Sequence, residues 1–181
     1  TILGPSALFA GEVGTGRALA SLLTTGNATV NARVLTNLNQ TYGGTLTIGG
    51  TATSLDAGGA FVALGPTTLA RSTQINATSA YFGNIVDASA SGVAFVVNSP
   101  GEINFTRAIG SVGALESLHA IGGGLTHFND SVRVTGAAGF IDIANAAVLD
   151  SDVAFFGPSV TFQNTVDSGL GGTFGLTAGT P

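Results

Sequence analysis

The chain contains no cysteine, no methionine, no tryptophan and no lysine in its 181 residues. Without cysteine there are no thiol nucleophiles, thiolate metal ligands or disulfide staples. The five cations are all arginine (Arg17, Arg33, Arg71, Arg107 and Arg133), scattered along a chain of net charge −5. A protein that tracks phosphates needs clustered cations, so no nucleic-acid partner is expected, and electrostatic docking to anionic lipid is disfavoured. Charged residues make up 8% of the chain, against about 25% in ordinary globular proteins. No apolar run approaches the roughly 18 residues of a membrane helix; the longest resemble Val93-Ala-Phe-Val-Val97. No membrane insertion is therefore expected. No basic segment precedes an apolar stretch at the start, so no signal peptide is read. The Thr-Ile-Leu-Gly start and Ala-Gly-Thr-Pro end suggest a slice of a longer chain.

What is present is apolar and small. A hydrophobic fraction of 44% with so little charge excludes disorder, and the length suits one domain, residues 1–181. Thr, Ser, Asn and Gly must supply the surface. The 28 glycines interrupt almost every window long enough for a helix, and an interior Gly costs about 1 kcal/mol relative to Ala. The best helical candidate, Arg17-Ala-Leu-Ala-Ser-Leu-Leu23, is short. Alternation of period two is far commoner. In Ala28–Val34 it places Ala28, Val30, Ala32 and Val34 on one face and Thr29, Asn31 and Arg33 on the other. Thr45–Ile48, Ile103–Phe105, Val132–Val134, Ile141–Ile143 and Val160–Phe162 repeat the pattern.

The chain also repeats itself. A shift of 96 aligns Phe9–Gly26 with Phe105–Gly122, matching Phe9 with Phe105, Val13 with Ile109, Gly14 with Gly110 and an Ala-Leu-x-Ser-Leu in each copy. Nested within it is an aromatic followed four residues later by an aliphatic: Tyr42/Leu46, Phe82/Val86, Phe105/Ile109, Phe128/Val132, Phe156/Val160 and Phe162/Val166. Phe61 fills the gap between Tyr42 and Phe82. Several marks recur at 20 to 28 residues, the length of one solenoid coil. Inward ladders of Val, Ile, Leu, Phe and Ala, Gly and Asn corners, and uncharged outward ladders all follow from such a coil. No Asn-Gly or Asp-Gly occurs to close hairpins, which disfavours an antiparallel sandwich. The expected fold is all-β: a right-handed parallel β-helix (β-solenoid) of about eight coils, each roughly 20–25 residues, on the order of 40 Å long. The 96-residue shift would then span about four coils.

Leu38-Asn-Gln-Thr-Tyr-Gly-Gly-Thr-Leu-Thr-Ile48, Val112-Gly-Ala-Leu-Glu-Ser-Leu118 and Val160-Thr-Phe-Gln-Asn-Thr-Val-Asp167 resemble repeat elements of large secreted bacterial exoproteins. These are the filamentous-haemagglutinin-like and autotransporter-passenger β-helix rods. Asn164 stands where one of those elements has Gly. The resemblance implies secretion, a bacterial cell-surface location, and adhesion or filament formation. It also implies partners in neighbouring solenoid segments, in copies of the chain end to end, or in a host or matrix surface.

No catalytic, metal or cofactor site is read from the residues. His119 and His127 could share a coil, but zinc needs three or four ligands. Asp142, Asp150 and Asp152 could form an acidic face, with Asp150 and Asp152 on one side of a strand and Arg133 the nearest cation. Such a face would suit a polysaccharide-active β-helix enzyme, yet lysine and sugar-stacking tryptophan are missing. Thr45-Leu-Thr47 and Thr51-Ala-Thr53 are Thr-x-Thr pairs of the ice-binding kind, spaced off the coil period. Five sequons make Asn27, Asn39, Asn76, Asn104 and Asn129 candidate N-glycosylation sites. The expected function is a non-catalytic structural or adhesive rod segment. The alternatives are an extracellular solenoid subunit docked on a larger assembly, and the polysaccharide-active enzyme.

Overall fold

The computed structural model describes residues 1–51 and 53–180. Every regular element among them is a strand, with 23 strands and no helix. All pairings are parallel, and each strand pairs with its counterpart one turn away, so the chain winds as a β-solenoid of about eight turns. Sheet A comprises Leu22–Thr24, Gln40–Tyr42, Ala60–Ala63, Ser79–Phe82, Ile103–Phe105, Leu125–Phe128, Ala146–Leu149 and Val166–Ser168. Sheet B runs through Ser6–Phe9, Asn27–Val30, Leu46–Ile48, Thr67–Leu69 and Val86–Ala88, then Val132–Arg133, Val153–Phe156 and Leu176–Gly179. Sheet C contains Val34–Thr36, Ser54–Ala57, Thr73–Asn76, Ala94–Asn98, Ser117–Ile121, Phe140–Ile143 and Val160–Phe162. The path visits A, B and C in order before returning to A.

The aromatic-to-aliphatic mark is a corner. Thr24, Tyr42, Ala63, Phe82, Phe105 and Phe128 form one inward ladder at the end of sheet A. Ala28, Leu46, Thr67, Val86, Ile109 and Val132 form another on sheet B. Each pair is joined by three residues, so six successive turns share one corner length. In the following turn Leu149 leads to Phe155, which pairs with Val132, and the corner is two residues longer. The same mark at Phe156/Val160 spans the corner from B to C, and at Phe162/Val166 that from C to A. Turn lengths vary at these other corners; on sheet A Leu22 pairs with Gln40, 18 residues on, and Ala80 with Ile103, 23 residues on.

The core is a column of rings. Tyr42, Phe61, Phe82, Phe105, Phe128, Phe155 and Phe162 follow one another with centroids 5.0–5.7 Å apart. Phe82, Phe105 and Phe128 occupy the same register position and stack with planes 14° and 18° apart. Phe61 pairs with Gln40 and Ala80, two residues aside from that ladder, and its ring reaches the column by tilting 46° and 41° to its neighbours. Gln40 is a buried polar side chain within this apolar stack. Its amide nitrogen donates to the Asp56 and Val34 carbonyls at 2.9 and 3.3 Å, and its oxygen accepts from the Tyr42 hydroxyl at 3.0 Å. Burial pushes the Tyr42 phenol well above its ordinary range, because the phenolate would be stripped of water.

Three sequence expectations are corrected. Arg17–Leu23 is not helical: Arg17 and Ala18 lie in a loop, and Leu22 opens a sheet A strand. The alternation through Ala28–Val34 does bury its four apolar residues, but it crosses a corner between two strands, Asn27–Val30 and Val34–Thr36. Period-two burial continues because the corner, like a strand, turns alternate side chains inward.

The third correction concerns the 96-residue shift. Phe9 stacks on Val30, Ile48, Leu69 and Ala88, four turns along sheet B. Phe105 lies two faces further on, in sheet A. The repeat therefore spans four turns and two faces, and it carries a local motif to a different side of the rod. Val13 and Leu19 pair with Val34 and Thr36, while Ile109 and Leu115 pair with Val132 and Val134. In both copies two neighbouring ladder positions are separated by a loop of five residues, 14–18 and 110–114. Each loop leaves through a glycine of positive φ, Gly14 at 78° and Gly110 at 71°. At each a Cβ would strike a carbonyl of the adjacent turn, that of Leu35 or Arg133.

Candidate functional site

Stacking of neighbouring turns brings the chemistry-bearing residues into two pairs. His119 and Asp142 are direct partners on sheet C, with Nε2 and Oδ2 3.1 Å apart. Gln163 also donates to both Asp142 oxygens, at 2.8 and 2.9 Å. On sheet A the His127 Nδ1 lies 2.9 Å from Asp150 Oδ2. A carboxylate can only accept, so Nδ1 carries the proton in this contact. The Asn129 amide donates to the same oxygen at 3.4 Å.

Both pairs join the same two turns on different faces, and both have a sequence separation of 23. That is also the separation between Phe105 and Phe128. The eight-residue spacing of the histidines is matched by the eight-residue spacing of Asp142 and Asp150. On sheet C this separation is the register itself, whereas on sheet A His127 pairs with Val148, 21 residues on, and reaches Asp150 two residues beyond its ladder partner. Reading the histidines and the carboxylates as separate groups missed this.

Asp142, Asp150 and Asp152, which the sequence left open as an acidic face, are not brought together. Asp142 is on sheet C, while Asp150 and Asp152 occupy the widened corner after Leu149 and diverge. Asp150 turns to His127, whereas Asp152 accepts from the Gly175 backbone N–H at 2.7 Å. Arg133 is exposed on sheet B. No cluster of three or more metal-ligating side chains occurs among the described residues.

The Thr-x-Thr reading is also redrawn. Thr29, Thr47 and Thr68 are register partners and make one outward rank on sheet B. Thr51 and Thr53 fall outside the strands, and Ala52 between them lies outside the described residues.

The five sequons occupy different environments. Asn27 and Asn39 are exposed, and their side-chain oxygens accept the Thr45 and Ala60 backbone N–H groups at 3.0 and 2.9 Å. Asn76 donates its amide to Asp56 at 2.6 Å, within a sheet C network that also includes Arg33 Nε on Asp56 at 2.6 Å and the amides of Gln74 and Asn98 on Asn76. Asn104 lies in its strand as expected, but its side-chain oxygen is buried without a partner. The Asn129 amide is held by Asp150 and the Phe105 carbonyl.

A cleft of about 420 Å³ opens on sheet A beside the His127–Asp150 pair. Its apolar wall is Leu125, Val148 and Leu170, and its rim carries Glu102, His127 and Asp150. Glu102 lies beside Leu125 in the preceding turn, since Ile103 pairs with Thr126. Gly169, also lining the cleft, has no room for a Cβ against the Asp150 carboxylate.

The fold and its ladders define a β-solenoid repeat protein. No family model, curated protein or solved structure matches the chain.

Proposed function

We propose that the chain is a structural and adhesive rod segment of a secreted bacterial surface exoprotein, working through its outer faces and not through catalysis. The observation that carries this reading is the continuity of the outward rows. On sheet A the outward row runs Leu23, Thr41, Val62, Tyr81, Asn104, His127, Val148 and Asp167, one residue from each turn in unbroken register. Only the last is formally charged. Such a surface extends over the whole rod, and its side chains avoid the like-charge repulsion that stacking at about 4.8 Å would impose on acids or arginines. The resemblance of Leu38–Ile48, Val112–Leu118 and Val160–Asp167 to exoprotein repeats supports the surface location.

Two measurements test the proposal together. Antibody raised against the chain should label intact producing cells as strongly as lysed ones. The purified chain, immobilised on beads, should retain host cells or matrix proteins. Labelling confined to lysed cells would overturn the location, and failure of every tested surface to retain the beads would overturn adhesion.

The cleft beside His127 and Asp150 favours the polysaccharide-active alternative in one respect, because it places an oriented imidazole next to an open groove. Release of reducing ends from a polysaccharide panel, lost in His127→Ala, would establish that alternative in place of the rod.

A further inference from the structure

The formal charge of the rod is unevenly placed. Residues 1–100 carry three acids (Glu12, Asp56, Asp87) and three arginines (Arg17, Arg33, Arg71). Residues 101–181 carry seven acids and two arginines, so the whole net charge of −5 belongs to the second half of the chain. The sheet A cleft lies in that half. Its rim presents the carboxylates of Glu102 and Asp150, no lysine or arginine lines it, and Asp167 follows Val148 on the same outward row. Its wall is aliphatic: Leu125 is 41% exposed and Leu170 fully so.

Carboxylates above an aliphatic wall match the two parts of a long cationic side chain, an alkyl stem that packs on apolar surface and a charged head that seeks an anion. The imidazole of His127 supports this arrangement. With Nδ1 2.9 Å from Asp150 Oδ2, it holds that carboxylate at the rim. We infer that this cleft binds a lysine or arginine side chain presented by a peptide segment of a basic partner. The site stands independently of the rod's adhesive role, since it needs only this face and its charge.

The test uses the full chain and fluorescein-labelled hexalysine, followed by fluorescence anisotropy at low ionic strength and again at about 0.15 M salt, where the screening length is about 8 Å. Hexalysine should bind and hexaglutamate should not. Glu102→Gln and Leu125→Asn, both exposed positions whose replacement leaves the ladders intact, should each weaken binding about three- to fivefold, the scale of a partly exposed charge or stem contact. Glu116→Gln removes the same charge at the corner between sheets B and C, away from the cleft, and should leave binding within about a factor of 1.5. Circular dichroism of each variant confirms that the fold is retained.

Equal weakening by Glu116→Gln and Glu102→Gln would overturn the site, because only overall charge would then be at work. So would insensitivity to Leu125→Asn, or the absence of hexalysine binding at low salt.

Discussion

At the scale of single residues, two positions carry conformational or electrostatic costs that can be read directly. Tyr42 is neutral in its buried site and resists ionisation there. Its folded-state pKa lies above the unfolded value of about 10, so folding is fully supported below pH 10 and loses support as pH rises beyond it. Urea midpoints should therefore fall between about pH 10 and 11.5 in the native chain. The Tyr42→Phe variant should start about 1 kcal/mol less stable, having lost the hydroxyl bond to Gln40, and should show a shallower decline over that range. Parallel slopes for the two proteins would show that other groups govern the alkaline limit. Gly110 should be intolerant for a different reason. Gly110→Ala meets both a positive φ and the Arg133 carbonyl, so a loss of about 2–3 kcal/mol is expected. Gly123→Ala, with positive φ but open space around it, should cost about 1 kcal/mol. Denaturant titration of the two variants compares them.

At the scale of elements, the loop 110–114 and the ring column behave as units. The buried Asp87 carboxylate accepts the Val112 and Gly113 backbone N–H groups at 3.1 and 3.3 Å, which ties the loop to the turn beneath it. Asp87→Ala should leave the solenoid folded while amide exchange at Val112 and Gly113 rises at least about tenfold, the loss of roughly 1.4 kcal/mol of local protection. Phe105 sits between Phe82 and Phe128 in the stacked stretch, and Phe105→Ala should cost about 3–5 kcal/mol in a urea titration.

These elements also show what the sequence could convey. The aromatic marks were legible because the corner from sheet A to sheet B keeps three residues through six turns, fixing the distance between two inward ladders. The super-repeat was legible as a match but not as geometry. Turns of 18 to 23 residues allow 96 residues to end on another face, and no local pattern reveals which. Likewise His127 and Asp150 are individually ordinary: His127 pairs in register with Val148, and the contact is made by Asp150, two residues beyond in the widened corner. The cleft was not legible at all, since its wall and rim come from turns whose register the alternation leaves open.

At the scale of the whole molecule, the turn is the unit of folding and of length. Because Ala80 and Ile103 hold the same ladder position, deleting residues 80–102 joins Ser79 to Ile103 and removes one complete turn. The shortened chain should fold with the same circular dichroism spectrum and a rod about 4.8 Å shorter by small-angle scattering. Deleting 80–100 instead leaves two residues too many in one turn, and a midpoint no lower than that of the in-register deletion would contradict the ladder assignment.

The register has a mechanical consequence as well. Every ladder hydrogen bond points along the rod axis, from one turn to the next, so tension applied to the two termini does not shear the sheets. It peels the outermost turn and then meets the next intact one. Each peeled turn of 18 to 23 residues would release about 60–80 Å of chain at full extension. Pulled in this way, the rod yields in steps at moderate force, a ratchet of separate turns that lengthens under load before it fails.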